Sequence, residues 1–298
     1  MFPELIIACI AGLGGMLGWG LADFFAKKTI DQIGDVQSLA WAGIFGCITF
    51  AIALWYEISV KGNPLVIPHD AATWAALAFF GVLQGVVYLF AYKGFGKGQV
   101  ALLNPFFASF PAIVAVVSII FLGEVTTAWR IIALCVIFFG VILISIDAEA
   151  LRSRRIRFGS VPGFKEVLIA TLLAALWTIL WSIFVSGKDP IAYAFYMFVF
   201  MTVTVFATAK YRRLDMRIRG SRIWLLVALI GICETVAYLS ITWGYGSTGL
   251  TSIVAVLSGG FSLPTIVLAY VFLKEKLTRL QWVGCLVIIA GAMLMPLV

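Results

Sequence analysis

Charge is what this chain has least of. Asp, Glu, Lys and Arg make up 12% of its 298 residues, and there is one histidine, His69, placed after Pro68 in a loop. Against 63% hydrophobic residues, so few charges exclude a soluble globular domain. Water cannot solvate that much apolar surface, and no single core of this size could bury it. One loop histidine cannot make a metal centre, and neither an H-E-x-x-H nor a nucleotide-binding motif occurs. The five cysteines (Cys9, Cys47, Cys135, Cys233, Cys285) stand singly inside apolar runs, so neither a disulfide framework nor a zinc site is indicated. A net charge of +7 does not point to nucleic acid, because the basic residues sit between hydrophobic runs as membrane-flanking anchors. No cofactor and no metal are expected. The N-terminus lacks a basic n-region and a small-residue cleavage site and reads as a retained first span.

What the chain has instead is long apolar runs. A spanning helix needs roughly 20 apolar residues, and punctuation by charged, Pro and Gly residues gives ten candidates, at about 4–22, 36–57, 71–92, 99–121, 129–147, 164–185, 190–209, 222–243, 249–273 and 279–298. The expected class is an all-α polytopic membrane protein.

Two of these runs repeat. Residues 81–103 read GVLQGVVYLFAYKGFGKGQVALL and residues 231–253 read GICETVAYLSITWGYGSTGLTSI. Gly81 matches Gly231, Tyr88 matches Tyr238, Gly94 matches Gly244 and Gly96 matches Gly246, with Gln84 and Glu234 at equivalent places. The division this implies is a first five-helix repeat over 1–150 and a second over 151–298. Five helices per copy require the second copy to enter the membrane inverted. Of the 21 Lys and Arg, only Lys61, Arg130 and Lys188 lie on the side of the loops after even-numbered spans. Basic loops stay cytoplasmic, so both termini are expected outside.

Glu234 lies about twelve residues from either end of its span, which at ~1.5 Å per residue places it about 18 Å in, near the bilayer midplane. A carboxylate there costs on the order of 3 kcal/mol and normally faces a cavity or a partner on a transport path. It is also a group able to take up and release a proton, which makes proton coupling through Glu234 an expectation. Tyr238 is one turn away on the same face, and Gln84 with Tyr88 repeats that spacing. The two faces are expected to meet at one central cavity, walled by Tyr88 and Tyr238 and, with weaker claims, by Trp19, Tyr92, Trp177 and Trp181. The interruptions Asn104-Pro105 and Pro111 in span four, and Gly259-Gly260 and Pro264 in span nine, occupy corresponding regions. Paired breaks of this kind are the sequence pointer to a midplane substrate site. Asp23 reads as a membrane-edge ion-pair partner of Lys27, four residues on. Glu124 and Glu275 read as ties for the turns at span ends, and Asp147 and Glu149 as surface charges.

The chain resembles the drug/metabolite transporter superfamily in its ten-helix EamA-type branch. The resemblance is carried by Trp19-Gly20 followed by Lys27-Lys28, the third-span Tyr and Gly pattern, Asn104-Pro105 with Pro111, FLGE at Glu124, FLKEKLT at Glu275, and Gln281 with Gly284 and Gly291. In the first half Arg130, Ala133 and Gly140 stand where Gln281, Gly284 and Gly291 stand in the second. The resemblance implies an exporter of amino acids or related metabolites, although relatives also carry sugars, nucleotide derivatives and cationic drugs. Some members place their termini in the cytoplasm, against the charge bias here.

The expected function is therefore secondary active transport of a small organic metabolite, such as an amino acid or amine, by alternating access about a midplane site. An intramembrane enzyme would need a nucleophile, a metal cluster or paired carboxylates near one interface. A channel would favour a continuous polar face over polar groups gathered at one depth. The expected partners are the lipid bilayer, the small-molecule solute and protons, with no nucleic acid, and the expected state is a monomer or homodimer in a prokaryotic plasma membrane.

Overall fold

The computed structural model describes residues 2–97, 103, 106–145, 162–274 and 277–297. It is helical, and the described residues contain no strand. In hydrocarbon every backbone N–H and C=O must find its partner inside the segment, and a helix achieves that for each apolar run. The helices are α1 (Phe2–Ile33), α2 (Asp35–Ser59), α3 (Ala71–Lys97), α4 (Phe110–Phe121), α5 (Ala128–Ser145), α6 (Phe164–Val185), α7 (Pro190–Tyr211), α8 (Ser221–Thr248), α9 (Thr251–Gly259), α10 (Ser262–Leu273) and α11 (Arg279–Leu294). Among the described residues nine helical segments are long and apolar enough to cross a membrane, with α9 and α10 together forming one of them. The twelve-residue α4 is the described end of the fourth span. Several helices run past the apolar stretch: α1 continues to Ile33 and α8 to Thr248.

Helix ends follow local chemistry. Gly34 turns the chain between α1 and α2 at φ 85°, a value open to glycine without strain. Asp189 accepts the Ala192 N–H at 2.6 Å with Pro190 at the first helical position of α7. Thr278 and Gln281 form a reciprocal capping box at the start of α11. That gives Gln281 a structural role.

Both expected interruptions are present. Pro111 occupies the first turn of α4, where no N–H is required of it, after a turn at Ala108 and Ser109. The ninth span breaks at Gly260 and Phe261, and Pro264 falls in the first turn of α10.

The main packing contacts of one half have counterparts in the other. α1 lies along α8 as α6 lies along α3; α2 packs on α8 as α7 packs on α3; α1 meets α9 as α6 meets α4. Three further contacts, α2 with α7, α4 with α9 and α5 with α11, join equivalent helices. The repeated glycines serve this plan. A Cβ at Gly81 would stand 2.6 Å from the Met197 carbonyl of α7, and one at Gly231 would stand 2.4 Å from the Ala42 carbonyl of α2. Each copy thus brings its own long helix against the short-range partner of the other copy. The result is a polytopic membrane fold of two inverted five-helix repeats. The lipid-facing exterior carries apolar side chains such as Ile120, Phe121, Trp129 and Phe272, all well exposed.

Candidate functional site

The faces expected to meet do meet. α3 presents Gln84, Tyr88 and Tyr92 at four-residue spacing, α1 presents Trp19 and Asp23, α6 presents Trp177 and Thr178, and α8 presents Glu234. With Phe107 and Phe110 before and at the start of α4, and Phe261 at the ninth-span break, these residues enclose a cavity with an empty volume of about 800 Å³, its open side included. A smaller space shares Asp23, Tyr92 and Glu234 and continues to Ala26, Ile30 and Ser38.

A directional chain of hydrogen bonds crosses the boundary between the copies. The Gln84 amide donates to the Tyr238 hydroxyl at 2.8 Å. Tyr238 donates to the Tyr88 hydroxyl at 3.4 Å, and Tyr88 donates to Glu234 at 3.3 and 3.4 Å to the two carboxylate oxygens. Trp19 Nε1 adds a bond to Glu234 Oε2 at 3.2 Å. Glu234 is 8% exposed and Gln84 7%, so both lie inside the bundle. Carboxylate oxygens only accept here, so the chain is polarised toward Glu234 and sets the orientation of the Gln84 amide.

Rings build the rest of the wall. Tyr92 stacks on Tyr88 with centroids 6.2 Å apart. Trp19 meets Phe261 edge-on at 6.3 Å. Trp177 donates its indole N–H to the Phe80 carbonyl at 3.0 Å and stacks on Trp181 at 5.5 Å. Trp181 bonds Thr242 and stands behind the wall. Tyr238 also stands one layer back: it is fully buried and does not line the cavity, but packs edge-on against Trp19, Trp177 and Phe198. Its spacing with Glu234 gave the correct face of α8; tight packing by Phe198 and Trp177 gives it a supporting place.

The breaks lie beside this cavity. Gly259 packs on Pro111, whose Cγ would stand 2.4 Å from a Cβ there. A Cβ at Gly260 would meet the Met16 side chain of α1. Pro264 packs on Gly20, and Thr265 donates to the Gly20 carbonyl at 2.9 Å, which explains the glycine that follows Trp19. None of these four lines the cavity; Phe110 and Phe261 beside them do. Asn104, Pro105, Asp147, Glu149 and Glu275 lie outside the described residues. So does the side chain of Lys27, the partner expected for Asp23.

Asp23, read from the sequence as a membrane-edge partner of Lys27, was not among the residues expected at the cavity. It lines both spaces with Glu234. The available signal was its position one turn from Trp19 on the same face of α1. The three phenylalanines were also missed, although each adjoins an anticipated break. No three His, Cys, Asp or Glu side chains gather to hold a metal ion among the described residues.

The cavity is closed on one side. Below Gln84 the fully buried Tyr238 and Trp181 pack with Phe80, Phe184 and Phe198, Trp181 meeting Phe80 at 5.2 Å. At that end of the bundle Glu124 accepts the Ser252 backbone N–H at 2.9 Å and also the Ser252 hydroxyl, fastening the loop after α4 to the first turn of α9. In the other direction the wall continues through Ala91, Tyr92, Asp23 and Phe107.

Comparison with known proteins agrees with this geometry. The model of the EamA-like transporter family matches residues 6–146 and 163–297. A protein of Methanocaldococcus jannaschii described as uncharacterised is 30% identical over 140 residues, which are 47% of this chain and 97% of that one. A solved crystal structure that is 16% identical superposes with a TM-score of 0.71 over 97% of this chain and 98% of its own, a likeness of fold alone. With the family model matched along nearly its whole length, the chain belongs to the EamA-like transporter family.

Proposed function

We propose that this multi-pass membrane transporter moves a small organic metabolite, an amino acid or amine, by secondary active export through the Glu234 cavity. The single observation that carries this reading is the junction of the copies at Glu234: Tyr88 from the first copy and Trp19 from α1 both bond a carboxylate on α8, inside a ring-walled cavity. A site assembled from both halves changes shape whenever the halves rock, which is what alternating access needs. The division into repeats over 1–150 and 151–298 is supported by the paired helix contacts, and by a relative whose whole length corresponds to 47% of this chain.

The bias of basic loops supports a reading in which the aromatic seal, the Glu124–Ser252 fastening and both termini face outward from a prokaryotic plasma membrane. In that frame the cavity reaches toward the cytoplasm, as an exporter awaiting its solute would. Glu234 is the proton carrier. Its neutral donors orient the carboxyl without neutralising it, so a proton or a solute charge can exchange there. The protein works as a monomer or homodimer.

The test is solute transport in proteoliposomes with and without a pH gradient, for the wild type and Glu234→Gln. Gradient stimulation is expected in the wild type and not in the variant. Equal stimulation in both would remove Glu234 from coupling.

A further inference from the structure

The polar groups around the cavity are unequal in sense. Its donor atoms already have acceptors: the Gln84 amide nitrogen on Tyr238, Tyr88 and Trp19 on Glu234, the Trp177 indole on Phe80 and the Thr178 hydroxyl on Ala174. Among the wall donors only the Tyr92 hydroxyl makes no hydrogen bond to the described residues. The acceptors are in the opposite condition. Gln84 Oε1 is buried without any hydrogen-bond partner. Asp23 lines the cavity, and none of the wall donors named above bonds to it. Glu234 is met only by neutral donors. Among the described lining residues there is no Lys, Arg or His.

An unpartnered buried acceptor costs about 1–3 kcal/mol, and more when it carries charge. The wall is therefore complementary to a ligand that brings donors and positive charge. The faces of Trp19, Tyr88, Tyr92 and Phe261 add quadrupolar attraction for the same ligand. A carboxylate or phosphate on the solute would instead face two acids, with no cation among the described lining residues to receive it.

We propose that the solute is an organic cation without a carboxylate, a primary amine or diamine whose ammonium is received by Glu234 and Asp23. This rests on the transporter reading and narrows it, removing amino acids and phosphorylated metabolites and giving Asp23 a specificity role.

The experiment uses the purified full chain with four probes: phenethylamine, 1,4-diaminobutane, phenylalanine and 3-phenylpropionate. Binding is read by heat denaturation and calorimetry, and uptake in proteoliposomes. At least one amine is expected to bind about tenfold or more tighter than phenylalanine, and 3-phenylpropionate not at all. Asp23→Asn and Asp23→Glu are expected to separate, the first losing about five- to tenfold in amine affinity and the second retaining most of it. Equal binding of phenylalanine and the amines, failure of both amines to bind, or unchanged amine affinity in Asp23→Asn would each overturn the proposal. Uptake of phenylalanine or 3-phenylpropionate without either amine would overturn it while leaving the transporter reading intact. A chain that moves none of the four across the bilayer, nor any of a wider solute panel, would count against both.

Discussion

Tyr88 and Tyr238, equivalent residues of the two copies and 150 positions apart, meet hydroxyl to hydroxyl at 3.4 Å. The repeat closes on itself at this contact, and the first copy's tyrosine passes the chain of bonds on to the second copy's acid. Because the two hydroxyls act in series, their losses should not add. Tyr88→Phe and Tyr238→Phe are each expected to lower stability by about 1 kcal/mol, and the double variant by less than the sum. Heat denaturation in detergent checks this; strict additivity would mean the hydroxyls act separately.

The matched glycines allow a controlled comparison. Gly231→Ala and Gly81→Ala place a methyl group 2.4 Å from a neighbouring atom, the Ala42 carbonyl and the Phe200 Cβ respectively. Each should cost about 1–3 kcal/mol by forcing helices apart. Gly62 has φ 73° and nothing within 4 Å of a Cβ, so Gly62→Ala should cost only backbone strain, about 1 kcal/mol. Denaturation midpoints that ranked Gly62→Ala as the worst of the three would contradict the packing account.

Removing the carboxyl in Glu124→Ala leaves the Ser252 N–H at the start of α9 without its acceptor. The sealed end should loosen by about 1–3 kcal/mol. Deuterium uptake is expected to rise over residues 251–257 and to stay level in α6. No change over 251–257 would show that the fastening contributes nothing to closure.

Asp70 caps α3 through the Thr73 N–H at 2.7 Å, and the Thr73 hydrogen bonds hold its carboxyl below the ordinary aspartate value of 3.8. A carboxyl lowered on folding contributes stability that is fully present above the unfolded value and is lost as pH falls through the lowered one. The start of α3 should therefore weaken only below about pH 4. Asp70→Asn keeps a capping oxygen but has no proton to gain, so the wild-type decline in melting temperature between pH 5 and 3 should be smaller in the variant. An equal decline in both would assign the acid sensitivity to other groups.

Much of this architecture was legible because membranes enforce a simple grammar. Span lengths, the basic-loop bias and the Gly81/Gly231 register predict the helices and their inversion without any packing detail. Four-residue spacing put Gln84 and Tyr88 on one face of α3, and both side chains line the cavity with Glu234 of α8. Spacing reports direction around a helix but not depth from the cavity, so Tyr238 and Trp181 were placed at the wall when they stand behind it. Asp23 was read from its nearness to Lys27 along the chain, which carries no sign of its place beside Glu234 across helices. The Glu124–Ser252 contact joins residues 128 apart and leaves no periodic trace in either segment.

The seating of Gly259 on Pro111 has a mechanical consequence. The weak points of the fourth and ninth spans are where each half bends most easily, and here they bear directly on one another. The pyrrolidine ring of Pro111 fills the space over Gly259, so a change of bend in one span would press on the other. If the halves rock as proposed, the two flexure points would turn as one axle, and neither door could open by itself while the other still stood ajar.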